Sequence, residues 1–266
     1  MEKIKKKIES GRGSRSHAKD SNASSLPIIS IITATYNAEK DLEQCIISVL
    51  GQSYENVELI IIDGGSSDAT LDIIKKYEAQ IDYWVSETDQ GIYDAFNKGI
   101  DVARGEWLYF LGADDNLANE SVLQHIFSNS YDSKLLYGNV RWGRSGIIYD
   151  GKFTRLKLFR FNICQQAIFY HRDLFNTLGK FDPRYLVEAD WVFNMKAFAV
   201  NNTRPFYLNT IVADYCIDGM SSVNEDEKLY REREMIYQDC FGSFTLFWAK
   251  LSHFLGTRIL SVDRNK

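Results

Sequence analysis

The chain predicts an α/β fold, a Rossmann-like, mostly parallel central sheet flanked by helices. Three observations carry that expectation. From Ile28 onward, short apolar runs of strand length alternate with segments of helical period, the pattern of parallel strands joined by crossover helices. Asp63, Asp89 and the adjacent pair Asp114/Asp115 each follow the carboxyl end of a predicted strand, the edge at which open α/β sheets bind ligands. And 266 residues, 45% of them hydrophobic and 14% aromatic, are enough to bury the core of one large domain.

The elements follow in order. Residues 1–26, with KIKKK and then GRGSRSHAKDSNASS, are polar and basic and read as a disordered tail, a solvated arm or a contact for an anionic membrane surface. IISIIT (28–33) is a buried strand, and Leu42, Cys45, Ile46, Val49 and Leu50 form one helical stripe. VELIII (57–62) is a second strand, followed by the turn DGGSSDAT and a helix with Leu71, Ile74 and Tyr77, capped from the Ser67/Asp68 pair. DYWVSE (82–87) is a third strand, GIYDAFNKGIDVA (91–103) a helix, and EWLYFL (106–111) a fourth strand that ends at the aspartates.

Beyond Asn119, which caps a helix carrying Val122, Leu123, Ile126 and Phe127, the alternation weakens. KLLYGNVRW (134–142) and GIIYDGKF (146–153) read as paired strands, QQAIFYH (165–171) as a strand, and RDLFNTLG as a short helix stopped by Gly179. His171 is expected to be a hydrogen-bonded strand residue. A helix begins near Glu188 in VEADWVFNMKAFAV, FYLNTIVADYC (206–216) is a strand, and Asp226 to Leu260 is helical with an aromatic face in FTLFWAKLSHFLG. The division is therefore a tail (1–26), one domain (27–220) with halves 27–118 and 119–220, and a helical extension (221–266).

Composition narrows the function classes. The net charge is −5, with the basic excess concentrated in the tail, which makes nucleic acid no partner of the folded domain. No apolar run reaches the roughly 18 residues of a membrane span, and the Lys-rich start lacks the apolar stretch of a signal peptide. Cys45, Cys164, Cys216 and Cys240 are scattered with no CxxC pair, which argues against a zinc site or disulfide framework and for a reducing, cytoplasmic setting. Two unpaired carboxylates at the end of a buried strand repel one another unless a cation or donors compensate. Mg²⁺ or Mn²⁺, which take one or two carboxylates plus substrate phosphates, suits Asp114 and Asp115.

The segments ISIITATYNAEKDLEQCIISVLGQSYENVELIIIDGGSSDATLDII, SETDQGIYDAFNKGIDVARGEWLYFLGADD, CQQAIFYHRDLF and FDPRYLVEADW resemble the family 2 glycosyltransferases of GT-A fold, above all bacterial enzymes of O-antigen and exopolysaccharide assembly. The resemblance runs in uninterrupted order over about residues 28–220. It implies inverting transfer from a nucleotide-activated sugar to an acceptor hydroxyl, with Mn²⁺ or Mg²⁺, residues 27–118 being the nucleotide-sugar half and 119–220 the acceptor side. Carried over by position, Thr35 and Tyr36 line the nucleotide pocket together with Glu39 and Gly91, and Asp63 accepts from the base. Asp89 and Lys98 lie near base, ribose or donor sugar, Asp114 faces the ribose and shares the metal, and Asp115 holds the metal on the diphosphate. Asp190 matches the catalytic base. Its position at a helix start favours the ionised form, and a positioned carboxylate contributes roughly 10² to 10⁴ in rate. Glu188 is the alternative base.

Three positions depart from the family pattern. Gly112 stands where many relatives have a further aspartate, Ala34 replaces a frequent proline, and Gln165 lies where close relatives often have histidine. Trp191 and Trp142 are each open to stacking on a sugar face or packing in the core; Trp191, with Gln165, is the candidate acceptor contact, and core packing is the leading reading for Trp142. The expected activity is transfer from a UDP-sugar to a glycan or polyprenyl-diphosphate-linked acceptor at the cytoplasmic face of the inner membrane. The aromatic C-terminal helix offers a peripheral membrane contact, core packing or a dimer contact. Two alternatives are a sugar-phosphate nucleotidyltransferase, disfavoured because no Gly-rich, basic triphosphate loop follows the first strand, and a non-catalytic nucleotide-sugar-binding subunit.

Overall fold

A computed structural model describes residues 8–11, 13, 26–149, 151–216 and 226–263. In chain order its elements are strand β1 (Glu9–Gly11), β2 (Ile29–Thr35), helix α1 (Leu42–Leu50), β3 (Val57–Asp63), α2 (Thr70–Lys76), β4 (Tyr83–Ser86), α3 (Ile92–Val102) and β5 (Trp107–Gly112). They continue with β6 (Asn116–Leu117), α4 (Val122–Phe127), β7 (Leu135–Trp142), β8 (Ile147–Tyr149), α5 (Arg155–Leu158) and β9 (Ile168–His171). Then come α6 (Arg172–Leu178), α7 (Ala189–Ala199), β10 (Phe206–Tyr215) and α8 (Glu227–Asp263).

The sheet runs β1-β4-β3-β2-β5-β9-β7-β10-β6, with β8 paired to β7. Strands β4, β3, β2 and β5 are mutually parallel. Beyond them β9 is antiparallel to both β5 and β7, while β7 and β10 are parallel. The strand period of two divides the apolar residues between the faces. Ile31, Leu59, Ile61, Tyr109 and Leu111 pack under α1 through Leu42, Cys45, Ile46 and Val49. Ile32, Ile60, Ile62, Leu108 and Phe110 pack on the other face with Phe96 and Ile100 of α3, α7 and the first turns of α8.

Four local readings differ from the sequence expectation. Within the tail, Glu9–Gly11 pair antiparallel to β4 instead of lying disordered; the rest of residues 1–7 and 14–25 lies outside the described residues. In QQAIFYH only Ile168 onward is strand, since Gln165–Ala167 form a 3-10 turn that takes both glutamines off the ladder. Asp68 accepts from the Thr70 N–H at 3.0 Å, yet α2 starts behind Ala69 with no side-chain cap. The C-terminal helix is broken at Gly242, whose φ of 81° lies in the left-handed region open to glycine. His171 keeps the expected role: it pairs in β9, and its ring nitrogen Nδ1 accepts from the Asp173 N–H that opens α6.

At the amino edge of the sheet a buried carboxylate ties three strands together. Glu58 accepts from the Ser30 hydroxyl at 2.5 Å, the Arg104 N–H at 2.7 Å and Arg104 Nε at 2.5 Å. Ser30 Oγ in turn accepts from the Gly105 N–H at 2.8 Å. A Cβ on Gly105 would sit 2.6 Å from Ser30 N and 2.8 Å from Ile28 O, both backbone atoms that have nowhere to move. Gly105→Ala is therefore expected to lower stability by about 1–3 kcal/mol. The check is a reduced urea midpoint at unchanged slope.

Candidate active site

Register places the carboxyl ends of the parallel strands side by side. Thr35 pairs with Asp63, Asp63 with Ser86, and Ala34 with Gly112. Asp63 is fully buried. Its carboxylate accepts from the Gly65 and Ser66 amides at 3.2 and 3.1 Å, from the Ser86 hydroxyl at 2.5 Å and from the Ser66 hydroxyl. These bonds shape the loop after β3 around Asp63. Glu39 is likewise engaged, accepting from the Ala69 N–H at 3.0 Å. Asn37, at φ 49°, accepts from the Ser67 N–H at 2.9 Å. These bonds lock the loop after β2 to the loop after β3. Tyr36 projects from them, 64% exposed, while buried Thr35 Oγ1 has no hydrogen-bond partner among the described residues.

Asp89 accepts from the Gly91 N–H at 3.0 Å, and its other oxygen lies 2.7 Å from where a Gly64 Cβ would be. Burial raises its pKa. Lys98 is paired with Glu87 at 2.8 Å and Asp94 at 3.3 Å.

The structure gathers the remaining predicted residues into one cleft of about 410 Å³. Asp114, Asp115, Gln165, Asp190 and Trp191 all line it, whereas Thr35, Tyr36, Glu39, Asp63, Asp89, Gly91 and Lys98 do not. Asp115 is almost fully buried. One of its oxygens accepts from the Cys216 N–H at 2.8 Å and the other from Gln166 Nε2 at 2.5 Å. Burial, then the neighbouring Asp114 charge, pushes its pKa up to about 7. Asp114 is raised as well, first by burial.

Gly112 explains the missing aspartate. A Cβ there would lie 2.6 Å from Asp115 Oδ2 and 2.8 Å from Asp114 Oδ1, so both carboxylates converge over a bare glycine, and a larger residue would require them to swing aside. Two convergent, electrostatically uncompensated carboxylates fit a divalent cation, and Asp114 and Asp115 are the residues that would hold it. Among the described residues no group of three or more His, Cys, Asp or Glu forms a metal cage. A cation held there would take the rest of its shell from phosphates and water, as hard cations commonly do.

Asp190, in the first turn of α7, is 5% exposed. Its Oδ1 accepts from the Tyr93 hydroxyl at 2.6 Å and its Oδ2 from Asn162 Nδ2 at 2.7 Å. Burial outweighs these donors and the helix terminus and lifts its pKa to about 6, a correction to the expectation that the dipole alone keeps it low. Glu188 borders the same cleft.

The tryptophans exchange roles. Trp191 is buried and donates from its indole nitrogen to Leu158 O at 2.8 Å, so it packs the wall. Trp142 is 37% exposed, borders the cleft and stacks on Tyr149 at 5.1 Å and 12°. Gln165 lines the cleft with a buried, unpartnered Nε2, but Gln166 is the glutamine that touches Asp115. Sequence reading missed Tyr93, Asn162, Gln166 and Arg160, the one basic residue bordering the cleft among the described residues. None of these sits in a pattern of spacing; only the fold brings them to the acids.

Comparison with known proteins agrees with this architecture. The chain is similar in structure to S. aureus TarS 1–349 in complex with UDP, at a TM-score of 0.65 and 19% identity, covering 85% of this chain and 72% of that one. It is also similar to a mannosyltransferase from Pyrobaculum calidifontis in complex with GDP-Man and Mn²⁺, at 0.60 and 15%, covering 84% and 72%. These likenesses define the fold as GT-A, with the mixed α/β sheet described above. In sequence, a PGL/p-HBAD biosynthesis glycosyltransferase of Mycobacterium tuberculosis is 38% identical over 217 residues, 79% of this chain and 85% of the relative. Residues 30–178 match the model of the family Glycosyl transferase family 2. The chain belongs to glycosyl transferase family 2, and it is a glycosyltransferase.

The two raised carboxyls make stability depend on pH. Burial pushes Asp115 up to about 7 and Asp190 up to about 6 in the fold, against an ordinary aspartate value of 3.8. Their contribution to stability is therefore full below about pH 4 and lost as pH rises through 6 and 7. Asp115→Asn removes one of these charges. The change in Tm it produces is expected to be more favourable at pH 8 than at pH 5, measured by thermal melts without added metal.

Proposed function

We propose that the protein is an inverting enzyme that moves a sugar from a UDP-sugar to a hydroxyl of a lipid-linked glycan in surface polysaccharide assembly. One observation carries the reading: Asp115 and Asp190 border the same cleft, each held only by neutral donors and each with its pKa raised towards neutrality. A divalent cation held by Asp114 and Asp115 would, when bound, neutralise charge gathering on the leaving diphosphate. Asp190, ionised above about pH 6, takes the proton of the acceptor hydroxyl as that oxygen attacks the anomeric carbon opposite the leaving group. The bond to the diphosphate breaks on the far face, and configuration inverts. The Trp142–Tyr149 stack offers a flat apolar surface for an acceptor sugar ring.

The nucleotide choice is supported by TarS structures with UDP and UDP-GlcNAc, and a comparison of UDP with GDP binding tests it. Among the described residues no helix is long and apolar enough to cross a membrane. Phe244, Phe247, Trp248 and Phe254 of α8 are all exposed, which supports a peripheral contact with the membrane that would carry the acceptor.

Asp190→Asn is expected to lower kcat by roughly 10²- to 10⁴-fold with UDP-sugar affinity retained; full turnover would move the base elsewhere. Asp115→Ala is expected to abolish stimulation by Mn²⁺ or Mg²⁺ and weaken UDP binding, read by calorimetry; unchanged metal dependence would dismiss the assignment. Trp142→Ala should raise the acceptor KM and leave the donor KM alone, in initial-rate assays with each substrate varied.

A further inference from the structure

The surroundings of Asp190 hold more order than a base requires. Tyr93 is buried, and its hydroxyl lies 2.6 Å from Asp190 Oδ1 and 2.8 Å from the Val187 carbonyl oxygen. It has one proton for two acceptors. On the other side the bonds run in one direction. The Tyr170 hydroxyl lies 2.8 Å from Asn194 Oδ1, its nearer acceptor, and 3.3 Å from Gln165 Oε1; Asn194 Nδ2 donates to Asn162 Oδ1 at 2.8 Å, and Asn162 Nδ2 to Asp190 Oδ2 at 2.7 Å. Because Asn194 occupies the Asn162 carbonyl, the Asn162 amide presents hydrogen, never a lone pair, to Asp190. Oδ2 is thereby kept for accepting, and a proton gained by Asp190 settles on Oδ1, beside Tyr93.

We propose that Tyr93, together with the Tyr170–Asn194–Asn162 chain, is a positioning device that satisfies Asp190 in both protonation states through a turn of the Tyr93 hydroxyl. This rests on the reading of Asp190 as the base. With Asp190 ionised, Tyr93 donates to Oδ1. When the acceptor O–H bond breaks, its electron pair enters the new glycosidic bond and its proton arrives on Oδ1. Tyr93 then accepts from Oδ1 and swings its own proton to the Val187 carbonyl. No buried polar group is orphaned in either state, which avoids the desolvation penalty of an unmade bond. The charged groups sharing the cleft are Asp114, Asp115, Arg160 and Glu188; none of them is hydrogen-bonded to Asp190. Tyr93 and Tyr170 are the titratable groups that face it from α3 and β9, and burial, together with the Asp190 charge, raises both well above the ordinary tyrosine range.

The test is the pH dependence of kcat in the full chain with saturating donor and metal. Tyr93→Phe keeps the ring against Phe96 and Phe181 and removes the hydroxyl from both states, but the bond lost to the ionised carboxylate is charge-assisted and the stronger of the two, so the ionised state loses more. Its acid limb is expected to move up by about one pH unit, a roughly tenfold loss below the limb with a near-normal plateau above it. Asn162→Ala, at a half-exposed site, is expected to move the limb in the same direction and serves if Tyr93→Phe folds poorly. Inactive Asp190→Asn together with unmoved limbs in both variants, their rates lowered equally at every pH, would overturn the positioning device alone. Active Asp190→Asn would overturn the base assignment on which it rests.

Discussion

Parallel hydrogen-bond register is the constraint on which the rest of this molecule depends. Strands β3, β2 and β5 are in step without a register shift, so Asp63 ends level with Thr35 and Gly112 level with Ala34, one residue back. Past Gly112 the chain turns out of the sheet, and the carboxylates of Asp114 and Asp115 lie over the glycine, 2.8 and 2.6 Å from where a Cβ would be. A one-residue slip would reverse every side chain on β5 and bury the acids in the wrong layer.

The two edges of the sheet treat buried charge in opposite ways. At the amino edge Glu58 receives a guanidinium and two further donors, and the strands are tied. At the carboxyl edge Asp115 and Asp190 receive amides and a hydroxyl but no cation. Neutral donors hold a carboxylate in place without cancelling its charge, so the proton affinity of both rises. Among the described residues the cleft is lined by Asp114, Asp115, Glu188 and Asp190 against the single guanidinium of Arg160, a balance that favours a cation. Stability is given up there, as is common at sites built for ligands.

The second half of the domain closes the cleft by abandoning parallel order. β9 enters antiparallel between β5 and β7, and the 3-10 turn before it delivers Gln165 and Gln166 to the acids. Tyr109 of β5 fixes that turn by donating to the Gln166 carbonyl at 2.8 Å. The β7–β8 hairpin supplies the aromatic wall, and α7 sets Asp190 across from the sheet edge. Asp114 and Asp115, after β5, and Asp190, on α7, therefore come from different elements and line one cleft.

Apolar periodicity sufficed for the strand and helix order from Ile28 to Tyr215, because buried strands and amphipathic helices leave their period in the chain. The acids at strand ends were legible for the same reason, as charges that terminate apolar runs. The occupation of Asp63 and Glu39 by their own loops was not legible, since it depends on turns that a linear pattern does not specify. Nor were Tyr93, Asn162 and Gln166, which are ordinary polar residues until folding brings them within hydrogen-bond distance of Asp190 and Asp115. The sequence by itself determined which residues carry charge and which faces are apolar. Only the tertiary structure decided which charges are buried, what holds them, and hence which carboxyls stand near neutrality, because desolvation and hydrogen bonding are properties of packed neighbours and not of residue type.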